Sequence, residues 1–276
     1  MDAAVKIQPY TTLNNGVQMP LLGLGAWDMY GKEAEQAVLD ALEIGYRLLD
    51  TATLYKNEKE IGNAVRKSGI PRSEIFVTTK VPNPQQGYDS TLRAFDTSMQ
   101  ALNIDYIDLY LVHWPIKGKR KDTWKALEKL FIDKRVRAIG VANYLVPFLK
   151  ELESYRLIVP AVNQIEFSPW LYLKNELEYC KEHNIQLQSY SPLTRAKKFK
   201  DERLLQLCRK YNKMPAQIIL RWNIEHFIST IPKSSNKKRL KENFDIFGFS
   251  LSKEDIDLMD SFNENFRVVE DPMEML

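Results

Sequence analysis

The sequence of 276 residues has few of the residues that form disulfides and metal sites. It contains two cysteines, Cys180 and Cys208, which do not form a C-x-x-C motif, and only three histidines. A disulfide framework and a thiolate metal site are therefore excluded, and a metal hydrolase is disfavoured because two of the histidines fall in or after helical segments. The same scarcity of cysteine fits a reducing compartment, so we predict a cytoplasmic protein without a metal ion.

Excess charge of one sign and long apolar stretches are missing as well. Lys and Arg together number 39 and Asp and Glu number 36, so the formal net charge is only +3. This near balance gives no strong basic surface for nucleic acid. No run approaches the roughly 18 apolar residues that cross a bilayer, and the N-terminus lacks the regions of a signal peptide. The sequence therefore predicts neither a nucleic-acid partner nor a membrane association.

Eight short apolar runs recur along the chain and are typical of β-strands. They begin at residues 21, 46, 75, 107, 136, 161, 185 and 227. All but the last interval between these starts are 24 to 32 residues long, which suits a strand, a crossover helix and two loops. The pieces between the runs carry apolar residues at helical spacing, as in 33–45, which ends at Gly45. This cadence favours a closed parallel barrel over an open sheet.

Three features extend the basic barrel pattern. Asn15-Gly16 between alternating apolar residues predicts a β-hairpin near the N-terminus, because both turn positions need positive φ. The long interval before residue 227 contains two helical stretches, and an amphipathic segment starting at Ser252 follows the last run. We therefore predict a TIM (β/α)8 barrel with an N-terminal β-hairpin and extra peripheral helices, forming one domain over 1–276.

Four reactive side chains follow three neighbouring runs. Asp50 and Tyr55 follow the second run, Lys80 ends the third and His113 ends the fourth. Side chains beyond the carboxyl ends of barrel strands share one mouth, and a buried ammonium needs a counter-ion such as Asp50. In this hypothesis Lys80 lowers the pKa of Tyr55, which gives a proton to a carbonyl oxygen, and His113 either binds that oxygen or shares the proton. A reaction that needs one proton at oxygen and no nucleophilic side chain is the reduction of a carbonyl group by hydride from a nicotinamide.

A cofactor site is predicted at the ends of the later runs. The segment 23–28 does not fit a Rossmann fingerprint, because Asp28 replaces the third glycine. Lys233 ends the last run, Ser234 to Asn236 can cap the next helix, and Lys237, Lys238 and Arg239 occupy its first turn. Cations at this end oppose the helix dipole but suit a bound anion such as a phosphate.

Three polar or aromatic residues at other strand ends suit an amide-bearing ring. Asn143 and Gln164 each offer a donor and an acceptor, which match a carboxamide. Tyr190 can stack on a flat heterocycle. Each of them also has a simpler interpretation as a loop amide, a core amide or a packing aromatic.

Taken together, the motifs resemble those of the aldo-keto reductase family from about residue 10 to residue 270. They are "GYRLLDTATLYKNEKEIG", "VTTK", "DLYLVHWP", "GVANY", "VNQIEFSP", "SYSPL" and "IPKSSNKKRLKEN". The chain is most similar to the bacterial branch that includes diketogluconate reductases. The resemblance implies a TIM barrel that binds NADPH and a catalytic tetrad of Asp50, Tyr55, Lys80 and His113.

The resemblance also implies roles for further residues. Trp27 and Trp114 match positions that wall the substrate pocket. The implied cofactor-binding residues are Asn143, Gln164, Tyr190, Ser191, Leu193, Ile231, Lys233, Ser234, Arg239, Glu242 and Asn243.

Four departures from the family pattern bear on ligands. Ala142 replaces a serine that hydrogen-bonds the carboxamide, and Pro82 replaces a tryptophan of the pocket wall. The segment 194–200 replaces a glycine-rich loop, and its Arg195, Lys197 and Lys198 can reach a pyrophosphate. The tail after the last helix is short, so we expect an open pocket.

The sequence therefore predicts an NADPH-dependent oxidoreductase that reduces small aldehydes or ketones, with a monomer as the default state. Two alternatives stay open. One is a Schiff-base aldolase that uses Lys80, because a buried lysine can attack a carbonyl. The other is a non-catalytic, NADPH-binding regulatory module.

Overall fold

Strands and helices alternate along residues 8–275, which are the residues that the computed structural model describes. The predicted domain also includes residues 1–7 and 276, which lie outside the described residues. The prediction about a signal peptide concerns residues 1–7 and therefore lies outside them too. The strands are β1 (Tyr10–Thr12), β2 (Gln18–Pro20), β3 (Leu24–Gly25), β4 (Leu48–Asp50), β5 (Phe76–Val81), β6 (Ile107–Val112), β7 (Val136–Ala142), β8 (Val162–Glu166), β9 (Gln186–Tyr190) and β10 (Ser229–Thr230). The helices are α1 (Gly31–Ile44), α2 (Glu58–Lys67), α3 (Tyr88–Leu102), α4 (Arg120–Ile132), α5 (Val146–Glu153), α6 (Lys174–Glu182), α7 (Glu202–Tyr211), α8 (Pro215–Glu225), α9 (Lys237–Phe244) and α10 (Lys253–Asp260).

Strands β3 to β10 form one parallel sheet in sequence order. Isolated parallel bridges join Leu22 to Thr230 and Gly25 to Lys233, so the first and last strands of this sheet meet. Each of these strands overlaps one of the eight runs, and β5 extends one residue beyond its run to Val81. The prediction of a (β/α)8 barrel is confirmed.

The N-terminal hairpin closes the end of the barrel at which the strands begin. Strands β1 and β2 pair antiparallel around the Asn15-Gly16 turn, as predicted. Asn14 Nδ2 donates to Pro160 O and Asn15 Nδ2 donates to Arg137 O, at the starts of two strands. The opposite end, where the strands finish, is left for the functional site.

The helices surround the sheet and pack their apolar stripes against it. Helix α1 buries Ala37, Val38 and Ala41 and ends at Gly45, whose φ of +124° suits glycine. Helices α7 and α8 lie between β9 and β10, and α10 follows the barrel, so the extra peripheral helices are confirmed. None of the helices described is long and apolar enough to span a bilayer.

Candidate active site

A cavity of about 340 Å³ opens at the carboxyl ends of the barrel strands. All four residues at its centre were predicted from the sequence: Asp50, Tyr55 and His113 line it, and Lys80 lies beside them with its ammonium hydrogen-bonded to Asp50. They come together because β4, β5 and β6 are neighbours in the sheet and end at the same level.

Asp50 and Lys80 form a buried ion pair. Lys80 Nζ donates to Asp50 Oδ1 over 2.6 Å and to Thr51 O over 3.0 Å, while Gln164 Nε2 donates to Asp50 Oδ2 over 2.7 Å. Burial raises the pKa of Asp50 and lowers that of Lys80, and their direct contact opposes both shifts. Because both carboxylate oxygens accept charge-assisted or amide hydrogen bonds, we assign the ionised pair.

Tyr55 ends a short 3-10 turn over Thr53–Tyr55 that follows β4. Lys80 Nζ lies 5.1 Å from the centroid of the Tyr55 ring. Burial, and second the negative charge of Asp50, raise the pKa of Tyr55 above its usual value. The expected lowering by Lys80 therefore does not decide the overall direction, because burial disfavours a phenolate and the carboxylate of Asp50 offsets the ammonium.

His113 is neutral in this environment. Burial first, and the positive charge of Lys80 second, lower the pKa of His113 from 6.5 to about 3. The Nδ1 atom is buried without a hydrogen-bond partner among the described residues, so Nε2 is the ring nitrogen left to face the cavity. A bare nitrogen loses less by burial than an unpaired N–H, which favours the tautomer that carries its proton on Nε2.

Two amide side chains line the cavity beside this group. Gln164 Nε2 donates to Asp50 and to Gln188 Oε1, which uses both of its hydrogens and leaves Oε1 as an acceptor. Asn143, at φ +64°, donates from Nδ2 to His113 O and accepts at Oδ1 from the Tyr190 hydroxyl over 2.7 Å. The amides therefore present one spare acceptor, on Gln164, and one spare hydrogen, on Asn143.

The basic turn adjoins the cavity through Lys233, which lines it. Asn236 caps α9, its side chain accepting from the backbone N–H of Arg239. Lys237 differs from the prediction, because its Nζ contacts Asp40 at 3.2 Å and Glu43 at 2.6 Å on α1. Over residues 8–275, the side chains of Lys233 and Arg239 form no ion pair. These two side chains are therefore available to bind an anion.

The other residues predicted for the site divide between the cavity and its surroundings. Trp27, Trp114, Tyr190, Ser191 and Ile231 line the cavity. Leu193 packs partly buried against the core, Ser234 and Asn243 are buried near the ends of α9, and Glu242 lies 4.0 Å from Lys238 on the same helix.

The C-terminal tail contributes residues that the sequence did not predict for the site. Val269 and Glu270 line the cavity, as does Leu54 beside Tyr55. The carboxylate of Glu166, at the end of β8, accepts from the backbone N–H groups of Val268 and Val269 over 2.7 and 3.2 Å. The short tail therefore forms part of the cavity wall. No local pattern identifies these residues, because the contact joins positions about one hundred residues apart.

The basic side chains of the segment 194–200, after β9, have different surroundings. The Arg195 guanidinium lies 4.8 Å from the ring of Trp27 and lines the cavity. Lys198 Nζ instead contacts Glu264 Oε2 and lies 4.5 Å from the ring of Phe266. Of these two, only Arg195 is placed for an anion in the cavity.

Comparison with known proteins agrees with this geometry. Residues 21–264 match the model of the aldo/keto reductase family. The glyoxal reductase of Bacillus subtilis is 49% identical over 96% of this chain and 96% of its own length. The 9,11-endoperoxide prostaglandin H2 reductase of Trypanosoma cruzi is 48% identical over 95% of this chain and 94% of its own length.

Two solved structures are similar throughout. MGS-M4, an aldo-keto reductase from a deep-sea metagenome library, has a TM-score of 0.92 at 43% identity and covers 95% of this chain and 97% of its own. A variant of Gox0644 solved with NADPH has a TM-score of 0.92 at 38% identity and covers 97% of this chain and 98% of its own. The chain belongs to the aldo/keto reductase family, and its activity is the NADPH-dependent reduction of carbonyl groups.

Proposed function

We propose that Tyr55 is the proton donor of this reaction. Its hydroxyl forms no hydrogen bond with any residue of the described chain, and its ring lines the cavity. A raised pKa keeps the phenol protonated at neutral pH, which is the state that a donor needs. The developing alkoxide is a stronger base than a phenolate, so proton transfer to it is favourable. This placement of one free phenol in the cavity is the observation that carries the proposal.

His113 would orient the carbonyl group. The neutral imidazole can donate from Nε2 to the carbonyl oxygen without competing for the proton of Tyr55. The buried Asp50–Lys80 pair places an ammonium against the Tyr55 ring, where it opposes the negative charge left on the phenol. NADPH, when bound, supplies hydride to the carbonyl carbon.

The residues of the cavity and the basic turn fit NADPH by their donor set. Gln164 offers an acceptor and Asn143 a donor, which together complement the carboxamide of a nicotinamide. Tyr190 holds Asn143 in place through its hydroxyl. Ser191, Leu193 and Ile231 would complete this end of the site.

The basic turn at the other end suits the phosphate groups. Lys233, Ser234 and Arg239 would bind the 2′-phosphate, and Glu242 and Asn243 the adenine. Lys233 and Arg239 support this assignment because, within residues 8–275, neither forms an ion pair, and a cation can form charge-assisted hydrogen bonds to a phosphate.

The substrates that we propose are small aldehydes and ketones, with glyoxal-like dicarbonyls among them. The cavity of about 340 Å³ must hold the nicotinamide end of the cofactor as well as the substrate. Trp27 and Trp114 would form apolar walls, and Val269 and Glu270 from the tail limit the remaining space. The name of the Bacillus subtilis relative supports a small dicarbonyl.

The test is a panel of carbonyl compounds, measured by the loss of NADPH absorbance. We expect glyoxal, methylglyoxal and other small aldehydes to have higher kcat/KM than bulky ketones. If bulky ketones are reduced best, the proposed substrate class is wrong. If none of the small carbonyl compounds is reduced, the proposed substrate class is equally wrong.

An aldolase mechanism has little support from the geometry of Lys80. The Lys80 side chain is 1% exposed, and its Nζ donates to Asp50 Oδ1 and to Thr51 O. An ammonium held by a carboxylate is not a nucleophile, because attack on a carbonyl needs the free amine. Trapping with borohydride would leave Lys80 unmodified.

We further propose a cytoplasmic monomer with one domain over 1–276. The free thiols of Cys180 and Cys208 suit a reducing compartment, and the larger of two apolar clusters extends from Leu21 to Phe262, which ties most of the chain together. Light scattering after size exclusion tests the monomer: a mass of twice 32.2 kDa would contradict it. Limited proteolysis that releases two stable fragments would contradict the single domain.

A further inference from the structure

A buried carboxylate without a role in the proposed reaction lies behind the strand that carries Lys80. Glu58 is the first residue of α2, is 5% exposed and does not line the cavity. A buried carboxylate is costly unless hydrogen bonds satisfy it, so its partners indicate what it holds together.

Hydroxyl groups from three segments surround the carboxylate of Glu58. Thr79 Oγ1 donates to Glu58 Oε1 over 2.6 Å. The hydroxyls of Thr53 and Ser98, which are 3.0 Å apart, also lie beside this carboxylate. Thr53 Oγ1 also lies 3.2 Å from the backbone oxygen of Lys80, to which it donates. The carboxylate is thus the centre of a small buried network between β5, α3 and the turn after β4.

This network connects the two residues whose relative position matters for proton transfer. Thr79 directly precedes Lys80 in β5, and Thr53 opens the turn that ends at Tyr55. We propose that Glu58 is a positioning residue that holds the Tyr55 turn against the Lys80 strand. The inference rests on the proposed roles of Tyr55 and Lys80.

The charge of Glu58 acts on the same pair. Lys80 from β5 and the buried phenol of Tyr110 from β6 face Glu58, and Asp50 from β4 faces Lys80 on its other side. The negative charge of Glu58 acts to raise the pKa of Lys80. Removing the charge of Glu58 lowers the pKa of Lys80. If the loss of activity at high pH reports the deprotonation of Lys80, this loss therefore occurs at a lower pH in the variant.

The experiment replaces Glu58→Gln, which keeps the shape and removes the charge and one acceptor. Single-turnover reduction of glyoxal, with enzyme in excess over NADPH, measures a rate constant that does not depend on the fraction of active molecules. We expect this constant to fall by about tenfold or more, because small displacements of reacting groups are costly. NADPH affinity, measured by fluorescence titration, stays within about twofold, since Glu58 lies outside the cavity.

A second buried carboxylate provides the matched control. Glu128 is 3% exposed and accepts from Trp124 Nε1 and from the backbone N–H groups of Leu157 and Ile158, near the opposite end of the barrel. Glu128→Gln should lower stability but leave the single-turnover constant and the pH profile unchanged. If Glu58→Gln does not fold, Thr79→Val removes one partner of Glu58 and should slow the reaction severalfold.

The inference is overturned if the variants at 58 or 79 react within about twofold of the wild-type rate constant. It is equally overturned if Glu128→Gln slows the reaction as much as Glu58→Gln does, because a general loss of rigidity would then explain both. Tyr55→Phe separates this result from the larger proposal. If Tyr55→Phe stays active, the proposed role of Tyr55 fails. If it is inactive and Glu58→Gln is normal, only the role of Glu58 fails.

Discussion

Replacing Tyr55 by phenylalanine removes one oxygen atom from the centre of the cavity. Within the described chain this oxygen accepts and donates no hydrogen bond, so its loss leaves no buried partner unsatisfied. We therefore expect the free energy of unfolding to change by less than about 0.5 kcal/mol. The ring, its edge contact with His113 and its contact with Lys80 are retained.

The effect on catalysis should be much larger. A positioned general acid contributes a factor of about 10² to 10⁴, which corresponds to roughly 2.7 to 5.5 kcal/mol in the activation free energy. We expect kcat/KM for glyoxal to fall by that factor, while the Kd for NADPH changes by less than about twofold. Steady-state loss of NADPH absorbance and a fluorescence titration measure the two quantities.

Tyr190→Phe is the matched control, because it removes the other phenol that lines the cavity. That hydroxyl donates to Asn143 Oδ1, so its loss should weaken NADPH binding more than it lowers kcat. The reasoning is refuted if Tyr55→Phe keeps more than about a tenth of the wild-type kcat/KM. It is also refuted if Tyr55→Phe loses NADPH affinity in proportion to its activity, since the residue would then act in binding.

Three further changes test other parts of the site. Arg239→Ala should reduce the ratio of kcat/KM with NADPH to that with NADH by about tenfold or more, because a charge-assisted bond to the 2′-phosphate is lost. Lys237→Ala should change this ratio little, since α1 already pairs that lysine, and equal effects would contradict the assignment. His113 titrates near 6.5 when unfolded and at about 3 when folded, so the unfolded state binds more protons between these values. The free energy of unfolding, measured with urea, should therefore fall by up to about 1.4 kcal/mol for each pH unit below 6.5. The His113→Gln variant should show a smaller fall. If the wild type and the variant depend on pH to the same extent, the lowered pKa of His113 is refuted. Glu166→Gln should weaken the hydrogen bonds to the tail, so amide hydrogen exchange at 268–269 should become faster. The kcat/KM of bulkier aldehydes should rise relative to that of glyoxal. Unchanged exchange would show that the carboxylate does not hold the tail.

The sequence by itself determined the order of the elements and the residues that meet at the mouth. Apolar runs at regular intervals predicted all eight barrel strands, and Asn15-Gly16 predicted the hairpin, because both signals are local in the chain. Asp50, Lys80 and His113 could be placed together because parallel strands deliver their carboxyl ends to one side of the sheet.

Only the tertiary structure decided the pKa shifts in the site, the pairing of its cations and the residues that form its walls. These properties depend on contacts between segments that are distant in the sequence. Burial and the carboxylate of Asp50 raise the pKa of Tyr55, which the sequence led us to expect lowered, and α1 pairs with Lys237 across nearly two hundred residues. Glu166 likewise brings the tail to the cavity, and Glu58 of α2 accepts from Thr79, the residue before Lys80 in β5. Coulomb energy and desolvation depend on distances in space, which local patterns of residues do not encode.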